Sequence, residues 1–239
     1  VTEMSVARVA EDELLLMTAA TAQIHARDWL LNHLDAGLQL VDQTTEWSTQ
    51  ILTGPKSRDI LAAVSDADLA KGWLTLQTAT LAGAEVRLMR VSFAGELGWE
   101  IHSKTGDTAR VWDAVMAAGA PLGLKPFGMF ALNSLRVEKG YRAWKGDLST
   151  DYTVLQGGLD RFVDWTKPEF RGKAALAAEK QAGVSKRFCT LVIDAGDFDP
   201  PYMSTIWHNG KVVGEVTSGY YGHRVGACIG LGMLRADLN

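Results

Sequence analysis

RVEKGYRAWKGDLSTDY, Arg136 to Tyr152, sets four cations three residues apart (Arg136, Lys139, Arg142 and Lys145) around Tyr141 and Trp144, then closes on polar turn residues. Just upstream, PFGMFALNSLRVEKG puts Phe127, Phe130, Ala131, Ser134, Leu135 and Glu138 on one side of a helix. Lys139 falls in its last turn, where a cation suits the helix dipole, and Gly140 supplies the residue that stops it. The quoted stretch is therefore a helix end running into a loop. Two readings of the loop stand side by side: a solvated cationic face, or the wall of a pocket for a flat, anionic ligand. The pocket reading expects Trp144 to pack against the protein, with Lys145 and Asp147 more exposed than it.

Working outward, VTEMSVARVAEDELLLMTAA reads as strand, acidic turn, strand. ATAQIHARDWLLNHLDAG spaces Ala22, Ile24, Trp29, Leu30 and Leu34 in helical steps and reaches Gly37, which accepts the left-handed conformation that ends a helix. LQLVDQTTEW reads as a strand, and GPKSRDILAAVS as a helix with Pro55 in its first turn, after which Ser65 caps a further short turn. Two strand-like runs meet around Gly83, and TGDTARVWDAVMAAG carries Val111, Trp112, Val115 and Met116 on one helical stripe. GLDRFVDW reads as a strand before a turn at Lys167 and Pro168 and an Ala-rich helix. From KRFCTLVIDAG onward the chain reads as strands alone, with His208, Asn209 and Gly210 forming the strongest hairpin turn. The fold class is α+β: mixed sheets with helices over residues 1–185, then an antiparallel β segment over residues 186–239.

The chain has 239 residues, 47% hydrophobic and 22% charged, which is enough to bury a real core. A formal charge of -4 leaves no basic face for a phosphate backbone, so no nucleic-acid partner is expected. The longest apolar runs fall short of the roughly 20 residues a membrane span needs, so no membrane partner is expected either. Cys189 and Cys228 each sit in an apolar run and read as buried thiols rather than a disulfide. The histidines form no HExxH grouping, and no metal is expected. The first residues enter a strand at once and the last follow an apolar strand directly. That reads as a fragment of something longer, with the final strand as an exposed edge.

VSFAGELGWEIH is the most informative acidic segment. Phe93, Glu96 and Glu100 alternate with Gly95 and Gly98, glycines of the kind that mark a bulge or a close approach. Its glutamates read either as a pocket wall or as solubilising edge charges. Composition and spacing stop at an α+β protein with one candidate pocket.

SFAGELGWEIH, then APLGLKPFGMFALNSLRVEKGYRAWKGDL, then GGLDRFV with KPEFRGKAAL, and finally GKVVGEVTSGYY resemble, in that order, the glycine-cleavage T-protein (aminomethyltransferase) family. The resemblance runs through nearly the whole chain. Its wording around ALNSLRVEKGYRAWKGDLSTDYT is most similar to the folate-binding region of dimethylglycine and sarcosine dehydrogenases, where such a module follows an FAD-binding one. The resemblance implies a T-protein-like folate-binding domain, truncated at its start, followed by an incomplete antiparallel β-barrel. It also implies tetrahydrofolate as cofactor, with FAD confined to a separate module in cis or in trans; the chain has no GxGxxG after a strand.

By the same resemblance, Glu100 stands at the pterin-clamping position, where one carboxylate accepts the two parallel N–H donors of the ring, and Phe93 packs on the ring. Glu3 stands where the family carries its catalytic aspartate. Arg161 replaces an aromatic beside the folate and is either a cation for the folate tail or a surface partner of Asp160 or Asp164. Leu132 stands where the aminomethyltransferases have an arginine, a departure that fits the dehydrogenase branch. The implied activity is capture of a methylene unit, derived from a methylated amine, as 5,10-methylenetetrahydrofolate, in the cytoplasm or in the mitochondrial matrix of a eukaryote. The alternatives are a folate-dependent O- or S-demethylase and a non-catalytic folate-binding protein.

Overall fold

The structure is a computed structural model that describes residues 4–196 and 198–238. The chain divides into two compact units. One holds residues 4–18 and 23–132; the other holds residues 19–22 and the chain from Asn133 onward.

The first unit opens with a hairpin of β1 (Met4–Arg8) and β2 (Leu14–Thr18), as expected, followed by α1 (Gln23–Leu31). Helix α1 forms but turns Ile24 and Trp29 outward and buries only Ala26. The expected strand over 38–47 is not there. Asp42 accepts the Thr44 N–H at 3.0 Å, and Glu46 N–H donates to Gln43 at 2.9 Å, so the backbone is drawn into turns. Strand β3 begins only at Trp47 and runs to Thr53.

β3 belongs to a four-stranded antiparallel sheet with β4 (Leu76–Leu81), β5 (Ala84–Met89) and β6 (Gly98–Lys104), in the order β3-β6-β5-β4. One face of it meets α2 (Ser57–Val64) and α3 (Thr108–Gly119). There Leu52, Val86, Leu88, Trp99 and Ile101 bury against Ile60, Leu61, Val111 and Val115. Each such side chain contributes about 1.5–3 kcal/mol on leaving water. Trp112, expected on the buried stripe, is exposed. Ser65 does not start another turn: it is extended, and its N–H closes α2 on the Leu61 carbonyl at 2.9 Å.

Helix α4 (Met129–Glu138) confirms the opening reading of a helix that stops near Gly140, which is left-handed with φ 65°. Of the side expected to pack, only Ser134 is fully buried. Phe130 is 84% exposed, while Leu132, Ser134, Arg136 and Val137 face inward. Val137 settles against Ile229 and Leu231, and Ser134 Oγ donates to the Tyr221 carbonyl at 2.7 Å. GLDRF forms a single 3-10 turn, Asp160–Phe162, rather than a strand, because left-handed Gly158 (φ 64°) breaks the extended backbone just before it. The Ala-rich helix is α5 (Lys173–Ala182).

The remaining strands are β7 (Lys186–Ile193), β8 (Thr205–His208), β9 (Lys211–Gly222) and β10 (Ala227–Arg235), an open antiparallel sheet in the order β7-β10-β9-β8. The hairpin turn read at 208–210 forms, with His208 ending β8 and Asn209 (φ 50°) and Gly210 (φ 73°) as the two turn residues before β9. The last strand is not an exposed edge: β10 pairs with β7 on one side and β9 on the other, which buries Cys228, Ile229, Leu231 and Met233. Both cysteines are free thiols; Cys228 is buried and Cys189 half-buried.

Candidate functional site

Alternation along β6 sends Trp99, Ile101 and Ser103 toward the helices and Glu100, His102 and Lys104 to the opposite face. On that face His102 lies across from Thr49 on β3 and Arg87 on β5. Thr49 Oγ1 is 2.9 Å from His102 Nδ1, and His102 Nε2 is 3.3 Å from Glu100 Oε2. The second contact is close but completes no hydrogen bond, so Nε2 is a buried nitrogen without a hydrogen-bond partner. The Glu100 side chain keeps 25% of its surface, against 8% for His102. Glu100 is thus a carboxylate with one oxygen turned toward a buried imidazole and room for a further donor. Farther along the face, Arg87 and Lys104 each lie over the Trp47 ring, 4.4 and 4.3 Å from its centroid, and Arg87 pairs with Glu13 at 3.7 Å.

The segment entering β6 is a tight loop. Gly95 has φ 74°, and Glu96 N–H donates to Ser92 Oγ at 3.2 Å. Gly98 lies so close to Leu52 that a Cβ would meet the Leu52 carbonyl at 3.1 Å. Both glycines of GELG are therefore positions where the backbone has no room for, or no ease with, a side chain. Phe93 is half-buried in this loop, in the same unit as Glu100.

Arg161 belongs to the other unit, on the 3-10 turn, where it is exposed and stacks over Phe162 at 4.7 Å. Asp164, one of its suggested partners, accepts instead from the backbone and hydroxyl of Thr166, which hold its carboxyl below the usual range. Glu3 lies outside the described residues.

In this second unit the quoted stretch departs most from expectation. Lys145 is exposed and Trp144 half-buried, as expected, but Asp147 is 0% exposed. Its carboxylate accepts from Arg136 Nη1 at 2.7 Å, Ala143 N–H at 2.8 Å, Thr217 Oγ1 at 2.5 Å and Ser218 Oγ at 2.9 Å. Arg136, with a side chain only 4% exposed, also donates to Asn133, the Tyr141 carbonyl and Ser218. A buried charge is tolerated here because every partner it needs is supplied. Beside the pair opens a cavity of about 320 Å³ whose wall includes Arg136, Trp144, Tyr202, Ser218 and Tyr220. Aromatic walls with one guanidinium suit a flat ligand bearing acceptors. Sequence reasoning missed Arg136, Asp147 and Ser218, since spacing gives no sign that residues 82 apart, Arg136 and Ser218, meet. Among the described residues no group of histidine, cysteine or carboxylate side chains could hold a metal.

A family model described as the GCVT N-terminal domain matches residues 1–167, and one described as the glycine cleavage T-protein C-terminal barrel domain matches residues 186–239. Human mitochondrial dimethylglycine dehydrogenase is 35% identical over 230 residues, covering 93% of this chain and 27% of the relative. Mouse mitochondrial sarcosine dehydrogenase is 39% identical over 202 residues, with coverage of 82% and 22%. The aminomethyltransferase of Halothermothrix orenii is 32% identical over 230 residues, with coverage of 96% and 64%. The chain thus spans about a quarter of the length of the two dehydrogenases. The solved glycine cleavage system aminomethyltransferase T from Bartonella henselae superposes with a TM-score of 0.85 at 20% identity, covering 98% of this chain and 64% of that one, a likeness of fold. Two family domains matched in order, on a fold shared with a solved aminomethyltransferase, identify the chain as a member of the glycine-cleavage T-protein family.

Proposed function

We propose that this chain is the tetrahydrofolate-binding, one-carbon-transfer module of an enzyme similar to dimethylglycine and sarcosine dehydrogenases, giving 5,10-methylenetetrahydrofolate as product. The observation that carries the reading is Glu100: a carboxylate on the face of its sheet opposite α2 and α3, partly open to a ligand and backed by a buried imidazole. Bound tetrahydrofolate would supply the two amines that accept the one-carbon unit. Glu100 takes the pair of parallel donors on the pterin edge, and Phe93 packs on the ring face. The resemblance offers Arg161, exposed and with its guanidinium over Phe162, as a cation for the carboxylates of the glutamate tail. Glu3 holds the proton of the reacting amine. The flavin that generates the one-carbon unit from a methylated amine sits in a separate FAD module, in cis or in trans, and the enzyme works in the cytoplasm or the mitochondrial matrix. We place the boundary between the folate domain and the barrel domain near Ser185.

Calorimetric titration of the protein with tetrahydrofolate, together with a formaldehyde-capture assay, tests the reading. Glu100→Gln replaces an acceptor by a donor facing the pterin donors; losing such a charged contact costs about 2–5 kcal/mol, so affinity falls roughly 30-fold or more. Glu3→Gln leaves affinity within a few-fold and slows capture by about 100-fold. A Glu100→Gln protein that binds tetrahydrofolate as the wild type does would falsify the clamp.

A further inference from the structure

Thr49, His102 and Glu100 form a line across β3 and β6, and the middle member is the one that nothing above explains. His102 is a titratable side chain with 8% of its surface exposed, in a sheet whose other face already carries the core. Its Nδ1 is engaged by the Thr49 hydroxyl at 2.9 Å, while its Nε2, 3.3 Å from Glu100 Oε2, is buried without a completed hydrogen bond. A buried nitrogen left in this state needs a reason. The charged groups around it are Arg87 directly across on β5, Glu100 and Lys104 on β6, and Glu13, which pairs with Arg87. When the Thr49 hydroxyl donates to Nδ1, the ring proton sits on Nε2, the nitrogen that faces Glu100.

We propose that His102 is a positioning residue: with Thr49 donating to Nδ1, its Nε2–H faces Glu100 Oε2 at 3.3 Å and, by that attraction, holds the carboxylate in the orientation that receives a ligand with paired N–H donors. The inference rests on the folate reading for the ligand's identity alone. The donor on one side of Oε2 limits the rotation of the carboxyl group. The ligand then meets an acceptor edge already in place. The contact resembles the outer partners that orient metal ligands, whose loss costs 10–100-fold in affinity.

Two measurements test it. Long-range proton–nitrogen NMR of the unliganded protein at pH 7.5 reads the tautomer directly. The expected result is an Nε2–H ring at His102 whose proton signal moves upfield in Glu100→Ala and whose tautomer preference is lost in Thr49→Val. An Nδ1–H ring, a doubly protonated ring, or a His102 signal indifferent to Glu100→Ala overturns the proposal. This arm needs no ligand, so it decides the matter even if the wild type fails to bind tetrahydrofolate, a result that would sink the folate reading alone. In the titration arm, His102→Leu weakens tetrahydrofolate binding about 10-fold. His102→Gln, whose amide N–H2 reaches the place of Nε2–H, restores it to within about 3-fold of wild type. In a Glu100→Gln background His102→Leu changes affinity by less than about 2-fold. Equal losses from His102→Leu with and without Glu100 would mean that the ring acts through the fold and not through the carboxylate.

Discussion

Removing Asp147 is the perturbation that separates a structural role for the quoted loop from a surface one. The carboxylate is 0% exposed and accepts four hydrogen bonds, one of them from Arg136, whose side chain is 4% exposed. In Asp147→Ala the guanidinium stays in the interior with no counterion, and the hydroxyls of Thr217 and Ser218 lose an acceptor. Breaking a buried pair by deleting one partner costs about 3–5 kcal/mol. That is a large share of the roughly 5–15 kcal/mol by which a domain is stable, so the variant still folds at 25 °C but unfolds early. At a slope near 2 kcal/mol per molar urea, the midpoint of the transition followed by circular dichroism drops by about 1.5–2.5 M. The double variant Arg136→Met/Asp147→Leu removes both charges together and recovers part of the loss, because an apolar pair of similar volume has no desolvation to offset. A midpoint within about 0.5 M of wild type for Asp147→Ala would refute the argument and return Asp147 to the surface role that the sequence reading gave it.

Other outcomes follow from the same structure. Burial, and then the hydrogen bond to Glu215, push the Tyr152 phenol above its ordinary range. The unfolded chain therefore loses this proton first, and stability falls as pH rises above about 10; urea midpoints measured from pH 8 to 11 should decline less steeply in Tyr152→Phe, and equal slopes would dismiss the linkage. A Cβ at Gly219 would run into the Pro200 carbonyl, whereas one at Gly128 meets nothing within 4 Å. Gly219→Ala is expected to cost about 1–3 kcal/mol and Gly128→Ala no more than about 0.5 kcal/mol, read as the difference between their melting temperatures. Burial also raises the Cys189 thiol, so its alkylation at pH 7.5 runs slower than that of a free cysteine, with buried Cys228 slower still; a Cys189 rate matching the free amino acid would contradict its placement.

The sequence by itself determined the elements whose cause is local. Gly140 ended α4, Asn209 and Gly210 closed the β8–β9 hairpin, and the glycines of GELG marked a loop with no space for side chains. Four ordered motifs sufficed to place the chain in its family. What only the tertiary structure decided concerns the charged residues. Arg136 and Asp147 carry the spacing of an ordinary solvated helix end, and nothing within that stretch tells them apart from Lys139 and Lys145. They are buried because Thr217 and Ser218, on a strand about 70 residues later, complete their hydrogen bonds. The same holds for β10, which reads as an edge until β7 is seen pairing on its far side, and for His102, whose partner Thr49 lies 53 residues away. Local backbone preferences act over a few residues and leave a trace in the order of amino acids. Desolvation of a charge depends on which groups the folded chain brings within about 3 Å, and no short-range pattern records that.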